Sequence, residues 1–273
     1  MKRQRKIALF LLAAISLSFL ISCSSQKDKT PETESQKSGT ETAEITSSES
    51  FPTSGDIDTE PADITVTPEA VSDKYSLNGD TLIVYSINRP VIDGNKEYNL
   101  EKINNTLKLY CESFTAIKAS EKAAAKEDYN AAKEDSIEFE PYEKTADYTA
   151  YVRENILSVR FDSYEQSGGA DSLWFTYALC FDLISGEQLS FADYIEKNEE
   201  YARNYIISAF TVIINSNPEN FFDDALALLP NEVSGENYYL SEDGVTLFLN
   251  TYSIAPNALG TQTVIIPYSN LPK

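Results

Sequence analysis

The chain has 273 residues, 42% of them hydrophobic, a formal net charge of −21 and no histidine. The length admits one large domain or two small ones. A charge of that sign repels nucleic acid and anionic lipid headgroups, and the missing imidazole removes His-based triads, His-ligated zinc and His general bases.

Lys2, Arg3, Arg5 and Lys6 open the chain, and Ile7 to Ser22 follows without a charge. That run is shorter than the roughly 20 residues of a mature spanning helix, and a basic start before a short apolar core is the layout of a secretory signal. It closes on Leu20-Ile21-Ser22-Cys23, which resembles the lipobox of bacterial lipoproteins. The expectation is a signal peptide over residues 1–22, a lipid on the Cys23 thiol, and a mature protein held at the extracellular face of the bacterial cytoplasmic membrane. Loss of the segment removes four basic residues and no acid, taking the formal charge from −21 to −25. A body this acidic either attracts basic proteins or is simply kept soluble by its charge.

Residues 23–70 are rich in Ser, Thr, Glu, Pro and Lys, with Ile45, Phe51, Ile57, Ile64 and Val66 as nearly the only large apolar side chains. Such a stretch buries too little surface to offset its ordering entropy and is predicted to be a disordered tether, with an end-to-end distance of roughly 35–40 Å.

From residue 71 the patterning changes. Tyr75 to Tyr85 predicts two short strands joined at Asn78-Gly79-Asp80, a strong hairpin signal. Arg89 to Gly94 reads as a turn-rich loop. Leu100, Ile103, Leu107, Tyr110, Phe114 and Ile117 recur at helical spacing, with Asn99 as a candidate cap, and the Ala-Lys-Glu content extends that helix to about Lys133. Glu140-Pro141 ends it, and Tyr148 to Val152 is a strand. Leu157, Val159 and Phe161 alternate with polar residues, as do Leu173, Phe175, Tyr177, Leu179 and Phe181. These are two half-buried strands separated by Gly168-Gly169, a pair that marks a turn.

Ser190, with Asp193 three residues on, has the form of a capping box, ahead of a helix from about Ile195 to Asn215. Phe221 to Leu229 suits a shorter helix stopped by Pro230. Tyr238 to Leu249 is a hairpin turning at Ser241 to Gly244, Ile254 to Gly260 a loop, and Thr263 to Tyr268 a last strand. Clustered helices and strands give an α+β class: two small mixed subdomains, 71–165 and 166–273, with mostly antiparallel sheets and packed helices.

Cys111 and Cys180 each sit in an apolar periodic segment, which favours buried thiols; a disulfide between them is the alternative that an extracellular location allows. The many adjacent acid pairs, such as Asp223-Asp224, do not face each other on a helix, so no two-carboxylate glycosidase site is supported. No residue pattern calls for a metal or a cofactor.

Several blocks resemble the extracellular part of RsiV-type anti-sigma factors and the same pair of domains in PdaC-type peptidoglycan deacetylases. They are Ser167-Gly168-Gly169-Ala170 with the strand after it, Asp182 to Leu189, Phe191 to Ile195, Tyr238 to Asn250, Ile254 to Gly260 and Ile266-Pro267-Tyr268. Tyr75 to about Tyr164 fits the smaller partner domain. The resemblance implies a non-catalytic module that, in RsiV-type proteins, binds lysozyme. Members of the family usually carry His after Gly-Gly-Ala, where this chain has Asp171. With only Met1 to Lys6 ahead of the apolar run, no cytoplasmic sigma-binding domain is expected.

The leading expectation is therefore a lipid-anchored surface protein that binds a basic protein such as lysozyme, or a wall glycan, without turnover. A peptidoglycan-acting enzyme or accessory domain is the alternative, and a wall-spacing lipoprotein a third reading. Candidate contacts lie on two loops and their aromatic neighbours: Tyr164, Gly168, Gly169, Asp171 and Trp174 on the first, and Tyr252, Pro256, Asn257 and Gly260 on the second.

Overall fold

A computed structural model of the protein describes residues 63–167 and 172–272. The signal segment, Cys23, the tether as far as residue 62, and Gly168, Gly169 and Asp171 lie outside the described residues.

Strands β1 (Ile64–Leu77) and β2 (Asp80–Gly94) form a long antiparallel hairpin. Its two-residue turn places Asn78 and Gly79 at φ 54° and 94°, the positive values that let a tight turn follow the twist of its strands. The hairpin is longer than the sequence predicts at both ends. β1 starts at Ile64, inside the stretch read as tether, because Ile64 and Val66 alternate with exposed threonines and pair with Gly94 and Ile92. Arg89 to Gly94 is strand rather than loop. Pro90 is tolerated there because β3 pairs with β2 only through Ile87, so no ladder partner needs its missing N–H.

Helix α1 (Leu100–Thr115) buries Ile103, Leu107, Cys111 and Phe114. Asn99 does not cap it through its side chain; its amide donates to the Ser185 carbonyl instead, at 3.1 Å. The helix stops at Thr115, whose hydroxyl bonds back to the Cys111 carbonyl. A separate helix α2 (Ala119–Asp135) begins where the Glu121 carboxylate accepts the Lys118 N–H at 2.6 Å. The expected single helix to Lys133 is thus two, and Ile117 lies between them.

Strands β3 (Tyr142–Arg153), β4 (Ile156–Gln166) and β5 (Leu173–Asp182) continue the sheet, and β6 (Gln188–Leu189) closes it at the end of β5. The order is β1-β2-β3-β4-β5-β6, antiparallel except for the β2–β3 pair. One sheet therefore spans the position between residues 165 and 166 where two subdomains are expected to meet. Ser190 does form the box with Asp193, but around the four-residue helix α3 (Phe191–Tyr194). The long helix α4 (Glu199–Ser216) starts later, capped by Asn198. Helix α5 (Ala225–Glu232) runs past Pro230. A second sheet of β7 (Tyr238–Ser241), β8 (Gly244–Leu249) and β9 (Gln262–Ile266) completes the chain. Gly244 is obligatory in that sheet, since a Cβ there would sit 2.2 Å from the Ile266 carbonyl oxygen. The class is α+β, as expected.

The six-stranded sheet has two unlike faces. On one, α1 covers Ile87, Leu157, Val159, Phe161 and Phe181, all at most 2% exposed. On the other, α3 to α5 and the small sheet pack over Cys180, Ile156, Tyr151, Leu189 and the buried Ser158. That second layer reaches the sheet through Leu240, whose N–H donates to the buried Ser158 hydroxyl at 2.9 Å. Beyond Arg160 and the buried Thr176 the second face has no covering layer among the described residues.

Candidate functional site

The uncovered half of the second face is an open groove of about 770 Å³. Its floor follows from strand register. Ser72 pairs with Ser86, Ser86 with Thr145, Thr145 with Tyr164 and Tyr164 with Trp174. Paired residues point to the same side, so this row crosses five strands on one face, a length of roughly 19 Å at the usual strand spacing. A second row of paired residues, Asp147, Asp162 and Thr176, runs beside it, with the Asn88 amide hydrogen-bonded to Asp147 at its end.

The far end is aromatic. The rings of Tyr164 and Trp174 lie 5.1 Å apart at 60°, and Trp174 is 58% exposed. Tyr164 is held in place by hydrogen bonds between its hydroxyl and Gln166 (2.6 Å) and Ser172 (3.0 Å). Asn257 donates to the Ser172 carbonyl at 3.0 Å, which brings the loop after β8 to this end of the groove. Its own amide oxygen accepts from Thr251. Asn250, at the end of β8, bonds both backbone groups of Thr176, accepting from its N–H at 2.7 Å and donating to its carbonyl at 3.0 Å. This single side chain replaces a neighbouring strand along the part of β5 that β6 leaves unpaired.

The middle is acidic. Asp147 and Asp162 are direct cross-strand partners, an arrangement that costs stability when both are charged and uncompensated. Asp162 is compensated: Arg160 donates to it at 2.8 and 2.9 Å, and Thr176 at 3.1 Å. The guanidinium also lies over the Tyr239 ring at 5.1 Å. Burial acts to lower the Arg160 pKa, but hydrogen bonding with Tyr239 and the Asp162 charge outweigh it and hold the group above its ordinary value. Asp147 accepts only from the Asn88 amide (3.4 Å) and its neighbour's backbone (2.8 Å), and it has no ion-pair partner among the described residues. The groove thus presents one unmatched carboxylate beside an aromatic wall.

Of the residues singled out in the sequence, Tyr164, Trp174 and Asn257 converge at one end of the groove. Pro256 and Gly260 flank Asn257 on the same loop, and Tyr252 is 53% exposed on it. Residues Gly168, Gly169 and Asp171 belong to the undescribed connection between β4 and β5. Sequence reasoning missed Asn88, Asp147 and Asp162, whose meeting depends on the parallel β2–β3 register. It also missed Asn250; the only signal for it is a polar residue closing an otherwise apolar strand.

The two cysteines are free and buried in different clusters, Cys111 under α1 and Cys180 under the second layer, so the disulfide alternative does not hold. Burial pushes the Cys111 thiol up to about 12 and raises that of Cys180, so neither supplies a thiolate nucleophile at neutral pH. Among the described residues no three carboxylate or thiol side chains come together as metal ligands, and no helix is long and apolar enough to cross a membrane.

With this geometry in hand, the likeness to known proteins falls on both parts of the chain. Residues 78–173 match the family model described as Deacetylase PdaC, and residues 183–269 match that of a protein of unknown function, DUF3298. The two matched regions follow each other along the chain, each about a third of its length, and the first includes most of the groove lining. A solved member of the DUF3298 family from Bacteroides fragilis has a similar fold at 21% identity and a TM-score of 0.50, with 77% of this chain and 93% of that one covered. A DUF3298 family protein from Pseudomonas aeruginosa is 16% identical over 78% of this chain and 93% of its own, with a TM-score of 0.48. No curated protein matches the chain.

Proposed function

We propose that this protein is a cell-envelope binding module, tethered by a lipid on Cys23, whose groove captures a wall-associated ligand without transforming it. The groove is the observation that carries this reading. Its floor is a five-stranded stretch of sheet, its end an exposed aromatic pair whose Tyr164 is fixed by side-chain hydrogen bonds, and its centre an unmatched carboxylate. Such a surface offers shape, stacking and charge, but among the described residues it holds no activated nucleophile. Of its two central carboxylates, Asp162 is held by Arg160 and Thr176, and Asp147 accepts only from the Asn88 amide and a backbone N–H.

A ligand that is a basic protein, lysozyme being the sharpest form of the proposal, gains association rate from a formal net charge of −25 once residues 1–22 are removed. Pull-down of lysozyme and co-sedimentation with purified wall sacculi, at low and at physiological salt, test the reading. Capture of either at micromolar protein is expected, with lysozyme capture weakening as salt rises. Capture of neither removes the binding reading.

The description of the first matched model as a deacetylase favours one second reading, a wall-modifying enzyme or an accessory domain of one. Release of acetate or of soluble fragments from purified wall material by the protein would establish it.

A further inference from the structure

The groove has a chemistry narrower than binding in general. We propose that it is a subsite for an amino-sugar glycan, with Tyr164 and Trp174 stacking against a sugar ring and Asp147 taking the ammonium of a neighbouring sugar whose nitrogen carries no acyl group. This inference rests on the binding reading above and names the ligand class of that same groove.

Three observations lead there. First, β2, β3 and β4 are each paired on both sides as far as the row of Ser86, Thr145 and Tyr164. An extended peptide gains its affinity by adding to a free sheet edge, where backbone N–H and C=O groups await partners. Along that row the floor offers no free edge, only side chains such as those of Ser86 and Thr145, with Asn88 and Asp147 just past the last β2–β3 pair. Hydroxyls, an amide and a carboxylate are the groups that pair with the hydroxyls and amine of a sugar. Second, the aromatic pair provides an apolar wall for the C–H face of a pyranose. Tyr164 is immobilised by Gln166 and Ser172, so little ordering entropy is lost when a ring stacks on it. Third, the charge is specific. Arg160 answers Asp162, but Asp147 directly opposite has no cation among the described residues. A neutral N-acetylated sugar leaves the two facing carboxylates repelling each other; a protonated amine placed between them relieves that repulsion. The short side chains of Ser72, Ser86 and Thr145 along the row let a chain of sugars lie close to the sheet.

The chain contains a single tryptophan, and it is Trp174, so intrinsic tryptophan fluorescence reports this site alone. The full-length protein in detergent is titrated with a tetramer of β-1,4-linked glucosamine, its N-acetylated counterpart and tetralysine, at mildly acidic pH. The fluorescence is expected to change with both sugars, the glucosamine tetramer binding at least about tenfold more tightly, the difference that one good charge-assisted contact makes. Asp147→Asn, at an exposed position, should bring the two affinities together while leaving the circular dichroism spectrum unchanged. Tyr164→Phe, which frees the ring from its hydrogen bonds, should weaken both sugars in the same proportion. Equal affinity for the two tetramers, or a preference that survives Asp147→Asn, overturns the proposal. So does tighter binding of tetralysine, which assigns the groove to a cationic peptide. If fluorescence stays flat while the protein still sediments with sacculi or captures lysozyme, the binding reading stands and this assignment of the groove falls. If neither of those ligands is captured, the binding reading itself fails.

Discussion

The two faces of the six-stranded sheet carry equal numbers of side chains from the same strands and meet opposite fates. On the α1 face, Leu157, Val159, Phe161 and Phe181 alternate into a dry core. On the other face the alternate residues change character along the strand. Ser158 and Cys180 lie under the second layer, Arg160, Ala178 and Thr176 at its border, and Asp162, Tyr164 and Trp174 beyond it. Burial builds the first face, while the second is built from polar contacts that hold a surface open. The difference teaches that one strand can serve stability and recognition at once, because its period of two separates the two sets of residues.

The largest expected effect tests the buried face. Phe161→Ala should cost about 3–5 kcal/mol in urea unfolding, the usual range for removing a fully buried ring. A cost below about 1 kcal/mol would mean that α1 does not seal this side. Next comes the clamp at the rim of the open face. Asn250→Ala leaves both backbone groups of Thr176 without their partner and should cost about 1–3 kcal/mol. Asn104 does the same for Ile92 on the edge of β2, at 2.8 and 2.7 Å, so Asn104→Ala should cost a similar amount. Ligand capture should suffer only in the Asn250 variant.

A smaller effect concerns the covered end of the second face, where Ser190 and Asp193 set the start of α3. Hydrogen bonds from the Ser190 side chain and backbone hold the Asp193 carboxyl below its ordinary value of 3.8. A carboxylate depressed by folding contributes stability that is fully present above its unfolded pKa and is lost as pH falls through the folded value. Ser190→Ala should therefore lower stability by about 1 kcal/mol near neutral pH and flatten the acid limb of a stability-versus-pH curve; an unchanged acid limb would show that the box contributes nothing. The thiols bracket both faces: Cys111 and Cys180 should resist alkylation in the folded protein and react only with denaturant, as read by peptide mapping. Modification of either without denaturant would show that its face opens.

Much of the buried face was legible in the sequence. The alternation at Leu157 to Phe161 and Leu173 to Phe181 located β4 and β5, the Asn78-Gly79 pair located the first turn, and the stripe of α1 was read correctly as far as Phe114. What was lost was lost for local reasons. The start of α2 carries Lys118 where Ser, Thr, Asp or Asn would signal a cap, and the Glu121 carboxylate performs the task instead. Pro90 reads as a loop unless one knows that β3 stops pairing before it. The open face was legible only where chain neighbours build it. Tyr164 and Trp174 were found because they flank the same glycine pair and become cross-strand partners. Asn88 and Asp147 lie 59 residues apart and meet through a parallel register that no turn dictates, so no sequence signal joins them.

The central claim is that the uncovered half of the second face is the capture surface. Trp174→Ala tests it most directly, because the side chain is largely solvent-exposed and its removal should change stability by no more than about 0.5 kcal/mol. In co-sedimentation with purified sacculi and pull-down of lysozyme, the account predicts a variant that melts like the parent and loses capture of whichever ligand the parent retains. A variant that melts like the parent and captures that ligand equally well would contradict it.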